Sequence, residues 1–419
     1  MHLHESLIRA VIEALQNVFQ RGLYSDKVLN HLFRSHPKWG ARDRRFVAEA
    51  VYEGVRHFLK FAYLAGKDVT PEPHLSFYFM LWQVQFLMGS QNPEQAFAEL
   101  RLFLKKSRLP FSNEHILSFT AFKRRLDRLQ DQPEWIQHSW PQWLDQYLQE
   151  QLGKKWTLLR QILNEPAPVD LRVHRQRTSR EQLQQSLLRE GIITEPIEGL
   201  SWGLTLKERK NVFVTEAFRR GDFEVQDRAS QRVVEFLDPR PGERICDGCA
   251  GAGGKTLHIA DLMGNRGKIV ALDIHDYKLE ELKKRARRHG ISIVETRVVD
   301  STKVIKRLFQ SFDRVLLDVP CSGLGVVRRN PDTKWKLTQE RIFELQELQR
   351  KILGMYSEMV KPGGRLVYST CSILPSENEK QIAWLLGEQS GRWKYLGQWV
   401  HDPGPTGDGF FVTQLERIR

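Results

Sequence analysis

Apolar residues recur at spacings of three and four from the start of the chain: Leu3, Leu7, Ile8, Val11, Ile12, Leu15, Val18 and Phe19 share one face of a helix. Similar patterns continue to about residue 130, rich in Trp, Phe and Leu and poor in alternating runs. The pattern predicts an all-α domain over 1–135, a compact bundle cored on its aromatics. DQPEW at 131–135 interrupts it, and after a further helical stretch Pro166 and Pro168 stop the helix, because proline cannot continue it. VDLRVH (169–174) then alternates like a strand, Thr178 with Glu181 reads as a capping box for SREQLQQSLLREG, and Gly191 ends that helix. Residues 136–222 are expected to form a small α+β module.

From about residue 223 short apolar strands alternate with amphipathic segments: ERICDG, KIVALD, TRVVD, DRVLLD and GRLVYST. This is the βαβ rhythm of a mostly parallel, doubly wound, Rossmann-like α/β sheet, predicted over 223–419. Ligands of such sheets bind beyond the carboxyl ends of the strands, near the switch in strand order, so the chemistry is expected where each strand stops.

Charge narrows the partners. The chain carries 64 Lys and Arg against 51 Asp and Glu, a formal charge of +13, which favours a polyanion bound through its phosphates. Arg42, Arg44 and Arg45, then Lys105, Lys106 and Arg108, then Lys123, Arg124, Arg125 and Arg128 are candidates to track an RNA backbone. A solvated helix face is the commoner meaning of any one such cluster. Arg172, His174, Arg175, Arg177 and Arg180 give the module a similar supply. MHLHESLIRA does not read as a signal peptide, and FYFMLW (77–82) is too short to span a bilayer, so a cytosolic protein without membrane contact is expected. Four cysteines, at 246, 249, 321 and 371, are too few for a disulfide scaffold, and each thiol needs its own explanation.

The first strand of the sheet runs into Asp247-Gly248-Cys249-Ala250-Gly251-Ala252-Gly253-Gly254-Lys255-Thr256 and then a helix. Glycines let backbone approach a ligand, and the helix start offers free N–H groups, which suits several ligand classes. Asp273 closes the next strand, where a carboxylate can accept the hydroxyls of an adenosine ribose. A P-loop NTPase is the main rival, since GKT stands at 254–256 and Asp318 ends RVLLD as a magnesium ligand would, but that loop needs glycine where this chain has Cys249. Cys246 and Cys249 form a CxxC pair that no second pair completes, so Cys246 is expected in the core and no metal is expected. His2-x-His4 reads as a solvated tail rather than a ligand set.

Strand four ends Leu317-Asp318-Val319-Pro320-Cys321-Ser322-Gly323 and strand five ends Tyr368-Ser369-Thr370-Cys371-Ser372. Neighbouring strands lie about 4.8 Å apart, so both thiols are expected in one cleft rather than in the core. A thiolate adding at carbon 6 of a pyrimidine makes carbon 5 nucleophilic enough to take a methyl group. Asp318 is placed to stabilise the charged ring at nitrogen 3, and a second ionisable group, Cys321 in this reading, assists loss of the carbon-5 proton. These arguments do not say which thiol attacks.

DVPCSGLG with YSTCS, behind DGCAGAGGKT, resembles the RsmB/Sun family of RNA (cytosine-5) methyltransferases, and VQDRASQ (225–231), SENE (376–379) and DGFF (408–411) extend the likeness from about residue 170 to the end. The resemblance implies a class I methyltransferase domain using S-adenosyl-L-methionine, with Cys371 as nucleophile and Cys321 assisting product release. It implies cofactor contacts from Cys249, Ala250, Gly251, Ala252, Gly253, Gly254 and Lys255, from Asp273 and Asp300, and from Asp318 between cofactor and base. The usual family loop reads Cys-Ala-Ala-Pro-Gly, from which Ala250-Gly251-Ala252-Gly253 departs. GVVRRNPDTKW (325–335) looks like the members acting on small-subunit ribosomal RNA, and the helical domain resembles their NusB-like RNA-binding domain in pattern and position. The expectation is a monomeric cytoplasmic enzyme of ribosomal RNA; the alternative is a non-catalytic assembly factor with a methyltransferase fold, against which Asp318, Cys321 and Cys371 speak.

Overall fold

The computed structural model describes residues 3–109 and 116–419; the His2-x-His4 pair falls partly outside them. The chain divides into two compact units, one of them helical through Asn164 and joined by Arg329–Leu337, the other holding Glu165–Arg328 and Thr338–Arg419. Among the described residues no helix is long and apolar enough to cross a membrane.

In the helical unit the first helix, Glu5–Gln20, buries Leu7, Ile8, Val11, Ile12, Leu15 and Val18, the stripe its spacing predicts. The helix Leu75–Met88 contains FYFMLW and is buried on several faces, with Phe77, Tyr78, Phe79, Leu81 and Trp82 in the core. The break at 131–135 is only a short turn, and the helices Gln142–Leu152 and Lys154–Ile162 continue the unit past the boundary read at 135. Three hydrogen bonds hold these helices, one of them reaching back to the fourth helix of the bundle. Ser139 Oγ accepts the Leu59 N–H at 2.7 Å, and buried Asp145 accepts Trp156 Nε1 at 2.8 Å and Arg160 Nε at 2.7 Å. The segment Arg329–Leu337 also belongs to this unit: Lys334 Nζ donates to the Arg56 carbonyl at 2.8 Å and to Asn164 Oδ1 at 2.9 Å, over the Trp140 and Trp335 rings. Burial holds the Lys334 ammonium well below the usual lysine range.

The second unit begins with a four-stranded antiparallel sheet of β1 (Asp170–Val173), β2 (Thr194–Pro196), β3 (Gly203–Leu206) and β4 (Phe223–Val225), in the order β2-β3-β1-β4. Leu171, Val173, Leu183, Leu187, Leu204 and Phe223 form its core. β4 pairs with β1, so the module extends beyond residue 222. Its helix Arg180–Arg189 is capped by Ser179 with Gln182 reciprocating, one residue on from the Thr178 and Glu181 pair read in the sequence, because Ser179 is the last residue with extended backbone.

The remaining strands are β5 (Arg244–Asp247), β6 (Lys268–Asp273), β7 (Val294–Val298), β8 (Phe312–Asp318), β9 (Val360–Thr370), β10 (Trp393–His401) and β11 (Phe410–Arg417). Their order is β10-β11-β9-β8-β5-β6-β7, parallel from β9 to β7 and antiparallel at β10 and β11. This is the mostly parallel Rossmann-like sheet expected, with a C-terminal antiparallel pair added. Apolar clusters cover both faces. The order turns back between β5 and β8, which places the ligand crevice of such a fold over the ends of those strands.

Asp145→Ala leaves the buried Arg160 guanidinium short of a carboxylate and the Trp156 N–H without an acceptor, and is expected to cost about 3–5 kcal/mol. Urea unfolding of the whole chain followed by tryptophan fluorescence measures it; a loss below about 1 kcal/mol, the range of an exposed pair, would contradict this role.

Candidate active site

The turn after β5 is held by three strand ends. Gly248 N–H donates to the Leu316 carbonyl and Ala250 N–H to the Leu272 carbonyl, both at 2.8 Å, while Gly251 N–H donates to Asp273 Oδ2 at 2.9 Å. Gly253 opens the helix Gly254–Leu262 at φ +87°, and a Cβ there would stand 2.5 Å from Leu282. A Cβ at Gly251 or Gly254 would instead meet open space, so the loop presents bare backbone to the crevice. Asp247, buried at the end of β5, accepts Thr256 Oγ1 at 2.7 Å through one oxygen, and its Oδ1 has no side-chain or backbone partner among the described residues. Burial pushes its pKa up to about 6. A cradle of bare glycine backbone beside an unpaired buried carboxylate oxygen fits a polar ligand such as an adenosyl group with a cationic amino-acid tail.

Asp273 ends β6 as expected, with Oδ1 accepting the His275 N–H at 2.8 Å, which leaves one lone pair on each oxygen for a ribose. Asp300 stands two residues beyond β7, exposed and bonded to Ser301 Oγ at 3.1 Å; the strand ends at Val298, and Val299 N–H still reaches the Asp273 carbonyl. Cys246 is buried in β5, and burial drives the thiols of Cys246 and Cys249 well above their usual range. Among the described residues no group of three or more His, Cys, Asp or Glu side chains is placed to hold a metal.

β8 and β9 are paired in parallel with Asp318 opposite Ser369, so the two cysteine loops leave the sheet side by side. Cys321 Sγ and Cys371 Sγ are 3.4 Å apart. Asp318 Oδ2 receives Lys255 Nζ at 2.6 Å and Oδ1 receives Ser369 Oγ at 2.8 Å. Burial opposes the charge on Lys255, but Asp318 and, more weakly, Cys371 raise its pKa, so the ammonium persists. The Lys255 ammonium also sits 5.5 Å over the Phe410 ring. The Cys321 thiol is pushed well above its usual range, first by its hydrogen bond with Cys371 and then by burial. A neutral Cys321 therefore faces Cys371.

The residue that joins the two loops is Glu377, which is fully buried. Its carboxylate accepts Ser322 N–H at 2.8 Å, Ser322 Oγ at 2.5 Å, Gln349 Nε2 at 3.0 Å and Ser372 Oγ. Gly325 adds a second tie, donating its N–H to the Cys371 carbonyl and accepting the Gly409 N–H, both at 2.9 Å. Sequence reasoning quoted SENE and DGFF without giving Glu377, Gly409 or Phe410 a task, and it passed over Asp247, Ser369 and Gln349. The repeated Cys-Ser in both loops was the available signal, because each serine bonds the same carboxylate.

The NTPase alternative fails on these contacts. In GKT, Lys255 is committed to Asp318 and the fully buried Thr256 to Asp247, so neither is turned to a phosphate or its magnesium.

Comparison with known proteins agrees with this geometry. The family described as 16S rRNA methyltransferase RsmB/F matches residues 234–415, and the RsmF/B-like ferredoxin-like domain matches residues 140–213. The probable ribosomal RNA small subunit methyltransferase B of Synechocystis sp. is 32% identical over 440 residues, covering 96% of this chain and 97% of that protein. The crystal structure of PH0851 superposes with a TM-score of 0.80 at 28% identity, covering 100% of both chains. NSun6 from Pyrococcus horikoshii, crystallised with SFG, gives a TM-score of 0.62 at 21% identity over 67% of this chain and 98% of that one, a likeness of fold. With identity of this extent along nearly its whole length, the chain belongs to the RsmB/Sun family of ribosomal RNA methyltransferases.

Proposed function

We propose that this chain transfers the methyl group of S-adenosyl-L-methionine to carbon 5 of a cytosine in small-subunit ribosomal RNA through a covalent adduct between Cys371 and carbon 6. The observation that carries the reading is the pair of thiols 3.4 Å apart on adjoining strand ends, beside the Asp318–Lys255 pair. The Synechocystis relative bears a small-subunit methyltransferase name, which supports the choice of RNA. The helical unit has an excess of Lys and Arg in a chain of net charge +13, which suits it to holding that RNA, whereas Arg172 and His174 of the small module are buried and do not serve this. A reducing compartment, the cytoplasm in this reading, keeps so close a thiol pair reduced.

Asp247, the backbone from Cys249 to Gly254, Asp273 and Asp300 would hold the cofactor, which when bound would supply an electrophilic methyl group. Cys371, as thiolate, bonds to carbon 6 of the cytosine and moves the ring's π pair toward carbon 5. Asp318, its two oxygens fixed by Lys255 and Ser369, relays a proton from the Lys255 ammonium to ring nitrogen 3 as negative charge develops there, and the proton returns when Cys371 departs. Cys321 starts neutral because it is hydrogen-bonded to Cys371. Once Cys371 sulfur is bonded to carbon its charge is gone, and the main influence holding the Cys321 proton goes with it. Cys321 then releases its own proton to water and, as a thiolate, takes the carbon-5 proton, after which the carbon 5–carbon 6 double bond re-forms and Cys371 departs as a thiolate.

Two outcomes test this reading. With RNA and S-adenosylmethionine, Cys321→Ala is expected to accumulate a denaturation-resistant protein–RNA adduct and Cys371→Ala none; reversed behaviour would exchange the roles, and full methylation by both variants would remove the two-thiol mechanism. Glu377→Ala is expected to lower kcat about 100-fold through misplaced thiols, with KM for S-adenosylmethionine little changed, while Glu377→Gln loses less, because its oxygen can still accept from the two serine hydroxyls although its NH2 faces the Ser322 N–H and Gln349 donors. Equal kcat for Glu377→Ala and the unmodified protein would show that the carboxylate does not position the pair.

A further inference from the structure

The glycine-rich loop is braced from behind by the small module. Ala252 lies between Gly251 at φ +54° and Gly253 at φ +87°, two left-handed turns. Its carbonyl is held by Arg285 Nη1 at 2.6 Å. The other side of the same guanidinium is taken by the module: Arg285 Nη2 donates to Glu224 Oε2 at 2.8 Å, and Glu224 sits on β4 almost wholly buried. Glu224 also receives Arg288 and, at 2.6 Å, His289 Nε2. A parallel grip lies on the helix that follows the loop, where Arg172 of β1 donates Nη1 to Asp261 at 3.1 Å and Nε to Gln226 at 2.8 Å.

We propose that Glu224 and Arg285 are positioning residues for the cofactor, a relay by which the small module fixes the Ala252 peptide and so the shape of the loop that takes S-adenosylmethionine. The inference rests on the cofactor reading given above. A peptide flanked by two positive-φ glycines has little intrinsic restraint, so the direction of its carbonyl depends on what binds it. Gly251 N–H is committed to Asp273 and Gly253 N–H to the Ala250 carbonyl, which leaves the Ala252 carbonyl as the point where an outside group sets the loop. Arg285 fills that place with one arm of a planar fork whose orientation Glu224 fixes with the other. Arg288 provides an internal comparison: it binds the same Glu224 and lies 4.0 Å over the Phe218 ring.

The test uses the whole chain and S-adenosylmethionine itself as probe, with calorimetric Kd and steady-state kinetics on RNA. Arg285→Ala is expected to weaken S-adenosylmethionine binding about tenfold or more, the worth of a charge-assisted hydrogen bond, with KM for RNA unchanged and kcat at saturating cofactor within about twofold. Arg285→Lys is expected to restore part of the affinity and Glu224→Gln to lose part of it, while Arg288→Ala, with a similar fall in thermal stability, keeps it. Should Arg285→Ala not fold, the Lys and Gln variants carry the test. Unchanged affinity in Arg285→Ala, or an equal loss in Arg288→Ala, would overturn the relay. Absence of S-adenosylmethionine binding to the unmodified chain would instead overturn the cofactor reading beneath it.

Discussion

Two loops leave neighbouring strands with a cysteine on each, and one buried carboxylate decides where those cysteines meet. Parallel pairing of β8 with β9 brings the loops together, but a strand register sets position only up to the last paired residue, and Cys321 lies three residues beyond Asp318. Beyond that point Glu377 takes over, binding Ser322 of one loop, Ser372 of the other and Gln349 behind them. Removal of this carboxylate strands several buried donors, each costing about 1–3 kcal/mol, so the arrangement is held by mutual satisfaction rather than by packing alone. The two serines follow their cysteines directly, and fixing the serines fixes the thiols.

Electrostatics then acts on the Cys321 side of the thiol pair. Lys255 is largely buried, and a charge in such a place interacts strongly with its neighbours. Lys255 carries one such charge and gives it to Asp318, while Cys321 is held neutral by Cys371 and by burial. In the proposed mechanism the first of these influences, the hydrogen bond with Cys371, changes when Cys371 sulfur becomes bonded to carbon, while burial remains.

Much of this was legible in the sequence, and the exceptions share a cause. The five parallel strands, the amphipathic first helix and the acids at the ends of β6 and β8 follow from short-range patterning that survives in any context. β10 was missed because it is an edge strand, with Lys394, Tyr395 and Leu396 exposed and no apolar run to mark it. Contacts that join residues distant in the chain, such as Ser139 with Leu59 and Lys334 with Arg56 and Asn164, left no mark in the local pattern. Glu224 reads as an ordinary acid on a short strand, and Arg285, Arg288 and His289 read as a solvated basic helix face, until folding brings them together across more than sixty residues. Glu377 stood inside a quoted motif, yet only the fold shows that it faces both cysteine loops.

The central claim is that Cys371 attacks carbon 6 while Cys321 serves the later proton loss. RNA containing 5-fluorocytidine tests it directly in the unmodified protein, because fluorine at carbon 5 cannot leave as a proton and the methylated adduct should persist. Protease digestion followed by mass spectrometry then locates the RNA-linked residue. The account predicts a methylated fluorocytosine attached to Cys371 and none attached to Cys321; attachment at Cys321, or methylation with no adduct at either thiol, would contradict it.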